Sequence, residues 1–239
     1  MHGQLRCIPY LPLSWVPITI EPHGQVFKAR AYNGKTWFIP VNDQKVALWA
    51  FRFLERNERF LDVLQKGDYV VEVGACTGEY TIPAAQKIGT RGKIVAFEAD
   101  ASGCECIKKN AQFHNLDNIE IFNKAVSDTS GEKVTLFVPT NISGGMLIET
   151  IHGAMSTTTL NECLPHVSVD VLKITVNGHE PHILAGASNL LPEVRAVIIQ
   201  SAHHEELSHM LENYSFIEKK SIDAQDSPEN VKILLFERQ

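Results

Sequence analysis

Val70-Val71-Glu72-Val73-Gly74-Ala75-Cys76-Thr77-Gly78 decides how the rest of the chain is read. The run Tyr69–Val73 is apolar on both faces except at Glu72, which suits a strand buried in a parallel sheet. Gly74 and Gly78 follow it, and a helical pattern then runs from about Gly78 to Ile88. A strand that turns directly into a helix puts the turn at the carboxyl edge of a sheet. Backbone N–H groups are expected to be exposed there, and glycine lets a ligand approach the chain closely.

Working outward, strands and helices alternate. Strands are expected at Lys93–Phe97, Ile119–Phe122, Lys133–Val138, Val169–Val176 and Val194–Ile199. Helices are expected over Ala101–Asn115, from His179 to about Leu190, and over Glu205–Tyr214. Phe216–Ser221 and Val231–Phe236 close the chain as two strands with no helix between them. Repeated βα units imply a doubly wound, mostly parallel, seven-stranded Rossmann-like sheet with right-handed crossovers, the last pair adding an antiparallel edge.

Before this block, short alternating runs at Ile18–Glu21, Val26–Tyr32 and Thr36–Pro40, with Asn33-Gly34 as a hairpin signal, read as a small β cap. Asp43–Leu64 reads as a lead-in helix. The expected division is therefore 1–64, cap and lead-in helix, and 65–239, the α/β unit. Trp37, Phe38, Trp49 and Phe53 are read as cap core, and Asn141–Met155, rich in glycine, as a loop able to close over a substrate. Thr157-Thr158-Thr159 is read as the start of a short helix.

Composition narrows the setting. Of 239 residues 44% are hydrophobic, enough for a full core, yet no apolar run approaches the roughly 20 residues of a membrane helix. The first residues have no signal-peptide pattern, and five scattered cysteines (Cys7, Cys76, Cys104, Cys106, Cys163) fit reduced thiols, so a cytoplasmic protein without membrane contact is expected. A net charge of −6 argues against a nucleic-acid partner. Oligomeric state is left open.

Glu98 ends the second strand, 24 residues after Gly74, where a carboxylate accepts hydrogen bonds from both hydroxyls of a ribose. A dinucleotide site wants G-x-G-x-x-G facing a pyrophosphate. Here the pattern is G-x-x-x-G preceded by Glu72, and a carboxylate beside the turn repels a pyrophosphate but suits the ammonium and sulfonium charges of S-adenosylmethionine.

The stretches VVEVGACTGEYT (Val70–Thr81), VAFEAD (Val95–Asp100), NKAVSD (Asn123–Asp128) and VDVLKITVNGHEPHILAGASNLL (Val169–Leu191) resemble the class I methyltransferases, and the FkbM group among them. The resemblance spans roughly residues 65–200. It implies that Glu72, Gly74, Ala75, Gly78 and Thr81, with Cys76 inside the cradle, surround the methionine portion of the cofactor. It further implies that Glu98 holds the ribose, and that Ala99, Asn123, Lys124 and Ala125 flank the adenine. The implied activity is methyl transfer to a hydroxyl of a small molecule or sugar. Where the family carries carboxylates this chain has Asn161, Thr175, Asn177 and Gln200. A second reading is therefore a cofactor-binding homologue with altered or lost transfer chemistry.

A hydroxyl acceptor needs a proton acceptor. His179 and His203 stand at the carboxyl edge as candidate bases, with Glu180 to orient an imidazole or the acceptor. His179, His182 and His203 are conceivable metal ligands, but histidines three apart at a helix start occur widely without metal, and none is expected.

Overall fold

The computed structural model describes residues 17–31, 35–40, 60–137, 146–149, 153–224 and 230–239. Its main sheet has seven strands: β4 (Tyr69–Val73), β5 (Lys93–Phe97), β6 (Ile119–Phe122), β11 (Val171–Thr175), β12 (Ala196–Ser201), β13 (Phe216–Asp223) and β14 (Lys232–Arg238). Their spatial order is β13-β14-β12-β11-β4-β5-β6. Pairing is parallel from β12 through β6, whereas β14 runs antiparallel to both β12 and β13. The expected α/β fold stands. The closing pair forms one edge of the sheet as expected, with the last strand, β14, between β12 and β13. β14 lies there because Leu234 and Phe236 join the buried core, while β13 keeps a largely polar, exposed outer face.

Side-chain alternation divides the core into two layers. Val70, Ile94, Val171, Ala196 and Ile198 face one side, with α1 (Thr81–Ile88) and the buried Phe60 and Leu64. Val71, Val95, Leu172, Val197 and Ile199 face the other, against α4 (Glu180–Ala185) and α5 (His204–Glu212). Glu72 and Lys173 are each two residues beyond Val70 and Val171 and so lie on the α1 side. Their register makes them direct neighbours. α2 (Ala101–Phe113) starts where the Asp100 side chain accepts the Ser102 N–H, and Cys104, Ile107 and Ala111 form its buried stripe.

The cap is an antiparallel meander of β1 (Pro17–His23), β2 (Val26–Ala31) and β3 (Thr36–Pro40). It shares its core with the α/β unit: Ala29, Trp37 and Ile39 pack with Ile82 and Ala111, and Val26 and Phe38 with Cys106. Asn33-Gly34, most of the expected lead-in helix, Trp49 and Phe53 lie outside the described residues. A 3-10 turn, Leu61–Val63, ends that segment.

Four further strands form a second sheet: β7 (Ala125–Val126), β8 (Lys133–Phe137), β9 (Met146–Glu149) and β10 (Met155–Thr158), in the order β7-β10-β8-β9; of these only β8 was expected from the sequence. The expected loop over 141–155 thus contains β9 and the start of β10; residues 141–145 and 150–152 lie outside the description. Thr157 and Thr158 belong to β10, because the Thr157 N–H and hydroxyl bond the Glu132 and Thr129 carbonyls. Only Thr159 caps a helix, accepting from Glu162 N–H at the start of α3 (Leu160–Cys163). Among the described residues no helix is long and apolar enough to cross a membrane.

Candidate functional site

The turn after β4 is stitched to its surroundings by every one of its amides. Gly74 and Ala75 donate to the Phe97 carbonyl, Cys76 to Glu98 Oε2 at 2.7 Å, Thr77 to Glu79 Oε2 at 3.1 Å, and Gly78 to the Ala75 carbonyl. The N–H groups expected to face a ligand are therefore all engaged within the protein, and α1 starts only at Thr81. A pyrophosphate, which needs such donors, finds none among the Gly74–Gly78 amides. Gly74 has φ 82°, and a Cβ there would collide with the Thr175 carbonyl oxygen, so the glycine serves the close approach of β11. Cys76 holds left-handed backbone (φ 52°) under the constraint of its bond to Glu98.

Glu98 accepts from Cys76 N–H through one oxygen and from Asp100 N–H (2.8 Å) through the other. It stays partly exposed at the carboxyl edge; loss of hydration pushes its carboxyl up to about 7, although the two N–H bonds act to lower it. Asn123 Nδ2 donates to the Glu98 and Ala99 carbonyls, both at 2.9 Å. Gly74–Gly78, Glu98, Ala99 and Asn123 are thus gathered at adjoining strand ends. Lys124 instead reaches Cys163 Sγ (3.7 Å), and Ala125 is buried in β7.

Glu72 does not face the edge with an uncompensated charge, as its place beside the turn suggested. It is 1% exposed, its Oε1 lies 3.0 Å from Lys173 Nζ, and its Oε2 accepts from Thr81 Oγ1 at 2.6 Å. Lys173 also donates to Thr175 Oγ1 (2.7 Å) and lies 4.8 Å from the Tyr80 ring centroid. Glu72 and Thr81 support the turn from beneath. The carboxylates left around the turn are Glu79 and Glu98, and a hydroxyl-accepting carboxylate beside a turn without free amide donors fits a nucleoside bearing a cationic tail.

On the other side of the edge, Glu180 is buried. It accepts from Gly178 N–H (3.2 Å) and Ser201 Oγ (3.0 Å), while Ser201 Oγ accepts the His203 N–H (3.0 Å). Burial raises its pKa. It joins the loops after β11 and β12, and the partners of its carboxylate are not imidazoles. His203 Nδ1 lies 3.5 Å from Glu206 on an exposed helix start. His179 Nε2 bonds Ser127 Oγ at 2.9 Å, and its ring stacks on His182 (4.6 Å between centroids, 18°). His182 Nδ1 bonds Asp128 Oδ2 at 3.0 Å, which lowers the Asp128 pKa, and Ser127 Oγ donates to Asp128 Oδ1 at 3.1 Å. The carboxylate that orients an imidazole here is Asp128, which sequence reasoning passed over although it ends the quoted Asn123–Asp128 stretch. Lys173 was likewise missed as a site residue; a lysine in an otherwise apolar strand was the available signal. Among the described residues no group of three or more His, Cys, Asp or Glu is arranged to hold a metal ion.

Among the neutral replacements, Asn161 binds Ser188 Oγ and Asn189 N–H, and Thr175 accepts from Lys173.

Comparison with known proteins agrees with this geometry. A cobalt-precorrin-6B C(15)-methyltransferase (decarboxylating) of Sulfurisphaera tokodaii is 26% identical over 104 residues, covering 42% of this chain. The matched part spans half the length of that relative. Among solved structures, a tRNA methyltransferase of B. subtilis superposes with TM-score 0.51 at 11% identity, over 79% of this chain and 66% of the other. A protein assigned as an rRNA methylase from Clostridium thermocellum superposes with TM-score 0.50 at 12% identity, over 77% and 93%. At such identities these two share the fold. The family model of the methyltransferase FkbM domain matches residues 72–224, more than half of the chain. The chain therefore belongs to the FkbM methyltransferase family, and S-adenosylmethionine is its cofactor.

Proposed function

We propose that the chain methylates a hydroxyl of a small molecule or sugar. In this reading Glu98 accepts the two ribose hydroxyls, the Gly74–Gly78 turn backed by Glu72 and Thr81 flanks the methionine portion, and Ala99 and Asn123 border the adenine. S-adenosylmethionine, when bound, supplies a methyl group on a positively charged sulfur. The protein's own work is to hold the acceptor oxygen in line and to remove its proton.

The observation that carries the reading is the His182–Asp128 pair. Asp128 bonds Nδ1 and so selects the tautomer with its lone pair on Nε2, on a side chain 52% exposed. Nε2 would take the proton of the acceptor hydroxyl, and Asp128 would stabilise the resulting imidazolium. His179, stacked on His182 and bonded to Ser127, orders that ring. Glu180 and His203 act as positioning residues that tie the loops after β11 and β12 together. A small acceptor agrees with the net charge of −6. The internal bonds of Asn161 and Thr175 weigh against a non-transferring homologue, since the neutrality of these two positions serves packing.

The test is transfer of labelled methyl from S-adenosylmethionine to a panel of sugars and small alcohols, with total RNA and protein in parallel. Label in a small-molecule ether, with at least a tenfold loss in His182→Ala, is the expected result. Label confined to RNA, protein or a nitrogen acceptor would overturn the hydroxyl assignment.

A further inference from the structure

We propose that the N-terminal cap is a working part of the cofactor site, and that Trp37 and Asn110 are positioning residues that set the Cys76-Thr77 turn from the cap side. The inference rests on reading that turn as the cradle of the methionine portion.

Thr77 is fully buried, and each of its polar groups is taken. Its hydroxyl accepts from Trp37 Nε1 (2.9 Å) and donates to Glu79 Oε1 (2.6 Å); its N–H goes to Glu79 Oε2, and its carbonyl accepts from Asn110 Nδ2 (2.9 Å). Asn110 is also fully buried. Its side-chain amide takes the Phe38 N–H on Oδ1 (2.9 Å) and donates to the Phe38 carbonyl from Nδ2 (3.1 Å). β3 is an edge strand of the cap sheet, so the amide stands where a neighbouring strand's peptide group would stand. One side chain on α2 thus closes the open edge of the cap and holds the turn carbonyl.

The consequence passes along the chain. Thr77 follows Cys76, whose strained backbone directs its N–H onto Glu98. Without the indole hydrogen bond, the Thr77 hydroxyl loses its only donor from the cap, and the 76–77 peptides gain freedom that the bound methionine portion must then remove. The cap's apolar contacts, Trp37 and Ile39 on Ile82 and Ala111, are untouched by loss of that one bond. Positioning and packing can therefore be separated by experiment.

The experiment compares S-adenosylhomocysteine, which reaches the turn, with adenosine, which depends on Glu98 and the adenine side alone. Affinities and thermal midpoints are measured for the full chain carrying Trp37→Phe, Thr77→Val or Thr77→Ser, and for the Trp37→Phe/Thr77→Val double variant. Trp37→Phe and Thr77→Val are each expected to weaken S-adenosylhomocysteine about five- to tenfold while adenosine stays within about twofold. Thr77→Ser should restore the wild-type value, and the double variant should lose no more than either single one. Equal losses for both ligands, additive losses in the double variant, or unchanged affinity in a folded Trp37→Phe or Thr77→Val protein would each overturn the proposal. The Thr77 pair tests the same contact should Trp37→Phe fail to fold. Wild-type protein that binds neither ligand would refute the cradle reading itself.

Discussion

The two halves of the carboxyl edge are built differently. The cofactor half, at the ends of β4 and β5, rests on a closed network of buried groups: Lys173, Glu72 and Thr81 beneath the turn, and Glu79, Asn110 and Trp37 beside it. The half proposed for the acceptor, at the ends of β11 and β12, is buried at Glu180, Ser201 and Ser127, and also presents partly exposed imidazoles paired with surface carboxylates. In the first half the named side chains bond one another away from water, whereas in the second they remain partly solvated.

The sharpest way to break the comparison is at Lys173. Its side chain is 7% exposed and that of Glu72 1%, so Lys173→Met leaves a buried carboxylate with only Thr81 as donor. The expected loss is about 3–5 kcal/mol in urea unfolding. The Lys173→Met/Glu72→Gln double variant, with no charge left in the layer, should recover most of it. A single-variant loss below about 1 kcal/mol would mean that the cofactor half is not held by this pair.

Glu98 comes next, and its effect falls on binding. Ribose hydroxyls donate to a carboxylate, so the ionised form binds, and a group titrating near 7 must lose a proton first. Adenosine, which carries no titrating amine, should bind about tenfold more tightly at pH 8 than at pH 6. In Glu98→Gln the affinity should be weaker and flat with pH. The ligand-free protein responds in the opposite sense. Because the folded pKa is raised from the ordinary 4.5, Glu98 favours folding most below pH 4.5, and that contribution is lost as pH rises through about 7. A pH-independent adenosine affinity in the wild type would remove Glu98 from the ribose.

The same division explains what the sequence disclosed. β4, β5 and β6 begin and end at the expected residues: β4 and β5 because strands buried on both faces leave continuous apolar runs, and β6, half-buried at the sheet edge, through its short Ile-Glu-Ile-Phe run. Glu98 was legible because its place follows from the strand end and the following turn. The partners of Glu72 were not: Lys173 lies 101 residues away in sequence, and only the sheet register brings the two side by side. β7 and β10 escaped notice since two residues, Ala125–Val126, and the run Met155–Thr158 carry no decisive periodicity. Asp128 and His182 meet across 54 residues, through a small sheet that no local pattern announces. Exposed groups brought together by tertiary packing leave the weakest trace in sequence.

The smallest expected effect, at Asp128, tests whether the halves are as separate as they look. Asp128→Asn removes a carboxylate from a half-exposed pair, with side chains 52% and 38% accessible, where water screens most of the attraction. Unfolding should shift by no more than about 1 kcal/mol, and adenosine affinity by less than about twofold. What should change is the contribution of His182 to transfer, since its Nδ1 partner is altered. Methyl transfer, once an acceptor is found, should slow without a change in cofactor affinity. A tenfold change in adenosine binding would instead show that the small sheet carrying Ser127 and Asp128 supports the cofactor half. The acceptor edge could not then vary independently of the cradle.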